Sequence, residues 1–173
     1  HGAPSPLLLA MEMRASWEWG AGILSLPFLQ TAPKGDGHPV LVFPGLGAGD
    51  YTTVPLRRYL KRLGYAPYPW NFGVNLGPRH GILRGCLEHL RELHEFHNRR
   101  VSLIGWSLGG IYARELAKIL PDAVRLVVTL GTPFTGNPKA NHAWRFYQFV
   151  SGHQIGENNL HRRLGSPPPV PTT

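Results

Sequence analysis

Residues 101–120 read Val-Ser-Leu-Ile-Gly-Trp-Ser-Leu-Gly-Gly-Ile-Tyr-Ala-Arg-Glu-Leu-Ala-Lys-Ile-Leu. The apolar run Val101 to Ile104 predicts a buried strand. Gly105-Trp106-Ser107-Leu108-Gly109 predicts a tight turn. Leu108, Ile111, Leu116 and Leu120 then recur at helical spacing. A Gly-x-Ser-x-Gly pentapeptide between a strand and a helix raises a serine hydroxyl clear of a sheet. Gly105 and Gly109 stand where side chains would collide as strand and helix close over the turn. Ser107 itself must take a strained backbone. The helix that follows supplies a free N–H and a partial positive charge beside the hydroxyl, both suited to a developing oxyanion.

Strand and helix alternate on either side of this stretch. Val40 to Phe43 reads as a buried strand ending in the glycine-rich turn Pro44-Gly45-Leu46-Gly47-Ala48-Gly49-Asp50. A helix over roughly Val54 to Leu63 follows, with Asp50, Thr52 or Thr53 as candidate caps and Gly64 at its end. Tyr65 to Tyr68 predicts a short strand, Trp70 to Arg79 a long loop, and His80 to His97 a helix with Leu83, Leu87, Leu90 and Leu93 on one face. Val124 to Leu130 predicts a further strand. Continuous apolar strands alternating with helices imply a mainly parallel sheet covered on both faces, a three-layer sandwich.

Outside this core, residues 7–29 predict an N-terminal helix. Within 141–151, His142, Trp144, Phe146, Tyr147 and Phe149 predict an aromatic-rich cap helix that serves equally as core or as the wall of an acyl pocket. The divisions expected are 1–37 for the N-terminal helix and loop, 38–137 for the core, 138–165 for the cap segment, and 166–173 for a proline-rich linker.

Composition narrows the function classes. Apolar residues make up 42% and charged residues 16%, a globular and weakly charged chain. At 173 residues it is one domain by size, able to bury about two thirds of its unfolded surface. Lys and Arg outnumber Asp and Glu by 18 to 10, giving +8. The basic pairs Arg57-Arg58, Lys61-Arg62, Arg99-Arg100 and Arg162-Arg163 form no continuous run and carry no nucleic-acid motif, so they read as a solvated surface. The run Leu7 to Ala10 is too short to span a bilayer. Cys86 stands alone, which excludes an internal disulfide and says little about compartment.

Two decoys fail on spacing. His89, His94 and His97 with Glu92 and Glu95 lack the His-Glu-x-x-His pattern of a helical metal site, so no metal is expected. Gly45-x-Gly47-x-Gly49 resembles a dinucleotide loop, but Asp50 occupies the third glycine position and no acidic ribose partner follows.

The segments Val-Phe-Pro-Gly-Leu-Gly at 42–47, Gly-Trp-Ser-Leu-Gly-Gly at 105–110 and Leu-Gly-Thr-Pro-Phe-Thr-Gly at 130–136 together resemble lipases and esterases of the α/β-hydrolase superfamily. The likeness covers about residues 38–137. Pro44 stands where a His commonly precedes the glycine, and Trp106 replaces the frequent His before the serine. The resemblance implies hydrolysis of carboxylic esters through an acyl-serine on Ser107. It also implies an oxyanion hole from the backbone N–H groups of Leu46 and Leu108, substrate contacts from Trp106 and Phe134, and no cofactor. The apolar flanks favour a hydrophobic acyl group. Acyl transfer or thioester hydrolysis by the same serine, and a non-catalytic binding module on the same fold, are the alternative readings.

The triad order of the family is Ser, then Asp or Glu, then His. After Ser107, Asp122 precedes a strand, Glu157 sits in the cap segment, and His142, His153 and His161 follow no strand. The catalytic acid and His are therefore expected outside the 173 residues, in missing C-terminal strands and helices or on a second polypeptide. With that part absent, the sheet edge along Val124–Leu130 is expected to lie open.

Overall fold

The computed structural model describes residues 32–77, 79, 81–131 and 167–173. The expected N-terminal helix, Phe134, the cap segment and His142, His153 and His161 lie outside the described residues. The chain divides into two units, His1–Lys34 and Gly35–Thr173, and all the elements below belong to the second.

Among the described residues four strands, β1 (Pro39–Phe43), β2 (Ala66–Pro69), β3 (Val101–Trp106) and β4 (Val124–Leu130), alternate with three helices, α1 (Asp50–Arg62), α2 (Ile82–His97) and α3 (Leu108–Ile119). A single 3₁₀ turn, Pro121–Ala123, leads into β4. The strands form one sheet in the order β2-β1-β3-β4. All three pairings are parallel, with Leu41 opposite Tyr68 and Leu103, and Leu103 opposite Val127. This is the parallel α/β sandwich expected from the alternating pattern.

Strand periodicity divides the core between the faces. Val40 and Val42 join Leu60 and Leu56 of α1 on one side. Leu41 and Phe43 join Leu90 and Leu93 of α2 and Ile111, Tyr112 and Leu116 of α3 on the other. Leu41, Phe43, Leu90, Leu103 and Leu116 are completely buried, each worth about 1.5–3 kcal/mol relative to exposure. The three layers are therefore α1, the sheet, and α2 with α3.

Helix boundaries differ from the sequence reading at α1. Beginning near Val54 would put Pro55 in the first turn, where a missing N–H costs nothing. The helix instead starts at Asp50 behind an extended Gly49 and carries Pro55 inside it. The expected side-chain caps are not used. Thr52 and Thr53 donate their hydroxyls to the carbonyls of Gly49 and Asp50. Asp50 accepts the backbone N–H of Trp70 at 3.1 Å and of Asn71 at 3.2 Å. A carboxylate placed to cap a helix thus fastens the end of β2 to the start of α1.

The edge of β4 is not bare, contrary to the open edge expected. Val127 N–H donates to Pro171 O (2.9 Å), Thr173 N–H to Val127 O (3.0 Å) and Thr129 N–H to Thr173 O (2.8 Å). Thr172 forms a parallel bridge with Val127. The segment read as a linker begins to pair one strand-width further out, and Val170 packs against the core. A row of unpaired strand N–H and C=O groups is satisfied most directly by another extended segment.

Candidate active site

The strand order places a crevice before any side chain is considered. β1 feeds α1 onto one face and β3 feeds α3 onto the other, so the loops leaving these adjacent strands part at their carboxyl ends. The loop after β1 is Pro44–Gly49, and that after β3 is Ser107.

Ser107 has φ +51° and ψ −120°, a backbone conformation natural to glycine and strained for serine. It is one of three described non-glycine residues with positive φ, beside Asn71 and Asn98. Its N–H donates to Leu130 O at 2.8 Å and its carbonyl accepts from Gly110 at 3.0 Å, so the turn is held from both sides. The flanking glycines are required by contact. A Cβ on Gly105 would fall 2.4 Å from the Gly109 carbonyl carbon, and one on Gly109 would fall 2.5 Å from Phe43 O. Leu108 is the first residue of α3, so its N–H has no partner within the helix.

The glycine turn comes up against this elbow. A Cβ on Gly45 would lie 3.4 Å from Trp106 O and 3.5 Å from Ser107 Cβ. Ala48 N–H donates to Gly45 O at 3.2 Å, closing a turn with Leu46 and Gly47 at its centre. Gly47 has φ +73°, the positive value a type II turn needs at that position. Leu46 is 40% exposed and Trp106 53% exposed, so two large apolar side chains are open to solvent at the carboxyl edge. The structure thus brings the Gly45 turn, Trp106, Ser107 and Leu108 together.

Sequence reading missed what holds the turn. Asn75, in the loop after β2, is completely buried. Its Nδ2 donates to Pro44 O at 2.8 Å, and its Oδ1 accepts from Gly77 N–H at 3.1 Å. Its main chain accepts from Gly47 N–H at 2.7 Å and donates to Ala48 O at 2.8 Å. The only sequence signal is a loop rich in Asn and Gly. Positive φ at Asn71, Gly73 and Gly77 is what folds it back.

A serine–histidine–aspartate array separate from Ser107 was also missed, at the opposite, amino edge of the sheet. His38 Nε2 lies 2.7 Å from Ser102 Oγ, and His38 Nδ1 lies against Asp36 Oδ1. Arg125 donates to Asp36 Oδ2 at 2.7 Å and Arg99 to the Asp36 carbonyl at 2.7 Å. The Arg125 guanidinium, and after it His38, hold the Asp36 carboxyl well below the usual carboxylate range. Ser102 is 4% exposed in mid-strand with no turn to raise it, so these contacts tie the starts of β1, β3 and β4 rather than present a nucleophile.

The three helix histidines each bond to a protein group. His97 Nε2 meets Tyr68 OH at 2.7 Å, His89 Nε2 meets Pro69 O at 3.2 Å and His94 Nδ1 meets Arg99 O at 2.9 Å. Asp122 lies in the 3₁₀ turn before β4, at the amino edge and away from Ser107. Among the described residues, no helix is long and apolar enough to cross a membrane.

The fold is that of the α/β-hydrolase superfamily, represented here by part of its sheet. The chain belongs to the PGAP1-like alpha/beta domain family, whose model matches residues 73–162, a little over half of it. No protein of curated function matches the sequence. Among solved structures, a monoacylglycerol lipase from Paleococcus ferrophilus is 21% identical with a TM-score of 0.51, over 70% of this chain and 50% of that one. The mature form of a Bacillus licheniformis lipase, BlEst2, is 20% identical with a TM-score of 0.48, over 81% of this chain and 55% of that one. The likeness is one of fold, and this chain spans about half the length of those lipases.

Proposed function

We propose that this chain carries the nucleophilic half of a serine hydrolase that cleaves carboxylic esters through an acyl-serine on Ser107. The observation that carries the reading is the strained backbone of Ser107, φ +51° and ψ −120°, between β3 and α3. A fold keeps such strain where a side chain must be presented in one direction. In the reaction, Ser107 Oγ attacks the ester carbonyl carbon while a histidine accepts its proton. The oxyanion is bound by the N–H groups of Leu46 and Leu108. Collapse expels the alcohol, protonated by the same histidine, and water repeats the sequence on the acyl-serine. Acyl transfer of this kind requires no metal or cofactor.

The histidine and its carboxylate partner come from outside these 173 residues, on a continuation of the chain or a second polypeptide. Trp106, Leu46 and Phe134 suit a hydrophobic acyl group. The core spans 38–137, followed by a cap segment over 138–165 and a connecting segment over 166–173.

An activated organophosphonate tests the assignment in the full-length natural protein. It should label Ser107 alone, and Ser107→Ala should lower kcat on an ester by about 10⁴ or more. Label on another residue, or full activity in Ser107→Ala, refutes the reading. Leu46→Pro, which removes one N–H, should cost about 10²–10³ in kcat. Product analysis with added alcohols or coenzyme A thioesters separates hydrolysis from acyl transfer.

A further inference from the structure

We propose that Asn75 is a positioning residue for the oxyanion hole, holding the Leu46 N–H in place from behind. The inference rests on the reading of Ser107 as nucleophile and of Leu46 N–H as a donor to the developing oxyanion. A main-chain donor can be aimed only by fixing the peptide planes around it. Leu46 N–H belongs to the plane between Gly45 and Leu46. The plane before it, between Pro44 and Gly45, is pinned by Asn75 Nδ2 on Pro44 O. The plane after it, between Leu46 and Gly47, is pinned by Gly47 N–H on Asn75 O. One residue therefore fixes both neighbours of the donor plane, with its side chain on one and its main chain on the other.

The donor plane itself is anchored through its oxygen, since Gly45 O accepts from Ala48 N–H. Among the described residues, no protein group accepts a hydrogen bond from Leu46 N–H. Its neighbours are engaged and, among the described residues, it remains available, the arrangement a preorganised donor needs. A carboxamide suits the position because a donor and an acceptor are both required in a completely buried site. Asn75 satisfies both, toward Pro44 O and Gly77 N–H. A carboxylate of the same shape keeps the second contact and sets a negative oxygen against Pro44 O. A serine is too short to reach both.

The test uses the full-length natural protein with Asn75→Asp and Asn75→Ser, and Ser102→Ala as a buried polar control on the opposite edge. Each is assayed on a matched pair of substrates, an oxygen ester and its thiono analogue, whose larger C=S group fits the oxyanion hole poorly. Displacement of the donor by about 1 Å should lower kcat on the oxygen ester by about 10- to 10²-fold. KM should stay within about twofold, and the thionoester should fall much less, so the preference for oxygen narrows. Ser102→Ala should leave that preference unchanged. Equal losses on both substrates would mean that Asn75 only supports the fold. An unchanged kcat in both variants, or failure of both to fold, would likewise overturn the proposal. A Ser107→Ala protein that retains activity would refute the nucleophile assignment first, whereas loss of activity there with normal Asn75 variants would refute only the present inference.

Discussion

A Cβ built on Gly105 would stand 2.4 Å from the carbonyl carbon of Gly109 and 2.4 Å from the Cα of Gly110. The obstacle is main chain on both counts, so no rotamer change relieves it. β3 and α3 approach so closely here that the first turn of the helix lies on the end of the strand, and that approach turns the backbone sharply at Ser107.

Gly105→Ala should therefore destabilise the protein by about 3 kcal/mol, at the upper end of overpacking costs. Gly47→Ala provides the contrast. Its Cβ would meet nothing within 4 Å, and only the positive φ of +73° opposes it, at about 1–2 kcal/mol. Urea denaturation midpoints of the two variants decide the matter. A Gly105→Ala protein as stable as Gly47→Ala would mean that strand and helix separate at little cost.

The Asp36 contacts at the amino edge make a pH-dependent contribution of definite sign. Arg125 and His38 lower the carboxyl pKa in the folded state, while the unfolded chain titrates near about 3.9. The folded protein thus holds the proton less tightly. The stabilisation is complete above the unfolded pKa and is lost as pH falls below about 4. Asp36→Asn should lower stability at pH 6 and flatten the acid limb of the profile. Denaturant midpoints between pH 2.5 and 6 check this, and an acid limb as steep in Asp36→Asn as in the wild type would show that other carboxylates carry it.

How much of this was legible in the sequence follows from the range of each interaction. The strand, turn and helix around Ser107 were readable because their requirements are local: a β-run, two glycines, a serine and a helical pattern lie within 20 residues. The parallel sheet was readable because both faces of its inner strands are buried, which leaves Val40–Phe43 continuously apolar and Val101–Ile104 apolar but for Ser102. Asn75 was not readable, since its role arises from a contact 31 residues away with a main-chain oxygen. The His38–Ser102 contact of the Asp36–His38–Ser102 array joins residues 64 apart, and its strand serine carries no local mark. The start of α1 was placed too late because Asp50, Thr52 and Thr53, residue types that suit a cap, lie inside the helix.

Cys86 should be silent to thiol reagents in the native protein. It is 1% exposed on α2, and burial pushes its thiol pKa up to about 12. The reactive thiolate is therefore both scarce and shielded. Modification by an aromatic disulfide reagent at pH 8 should be negligible without denaturant and complete once the protein unfolds. Rapid reaction under native conditions would show that the helix layer opens readily at α2.

The strain at Ser107 can be measured apart from catalysis by comparing two inactive variants. Ala shares the restricted backbone of Ser, so Ser107→Ala leaves φ +51° and ψ −120° as costly as before. Gly adopts such angles freely. Relief of strain is worth about 1–3 kcal/mol, against an entropic cost of about 0.5–1 kcal/mol for ordering a glycine. Ser107→Gly should accordingly be more stable than Ser107→Ala by about 1 kcal/mol, or roughly 2–4 °C in Tm for a chain of this size. Neither variant should hydrolyse esters or take a phosphonate label. Calorimetry of the pair alongside the wild type provides the readout. If Ser107→Gly melts at or below Ser107→Ala, the turn imposes no strain on its serine, and the observation on which the nucleophile assignment rests loses its force.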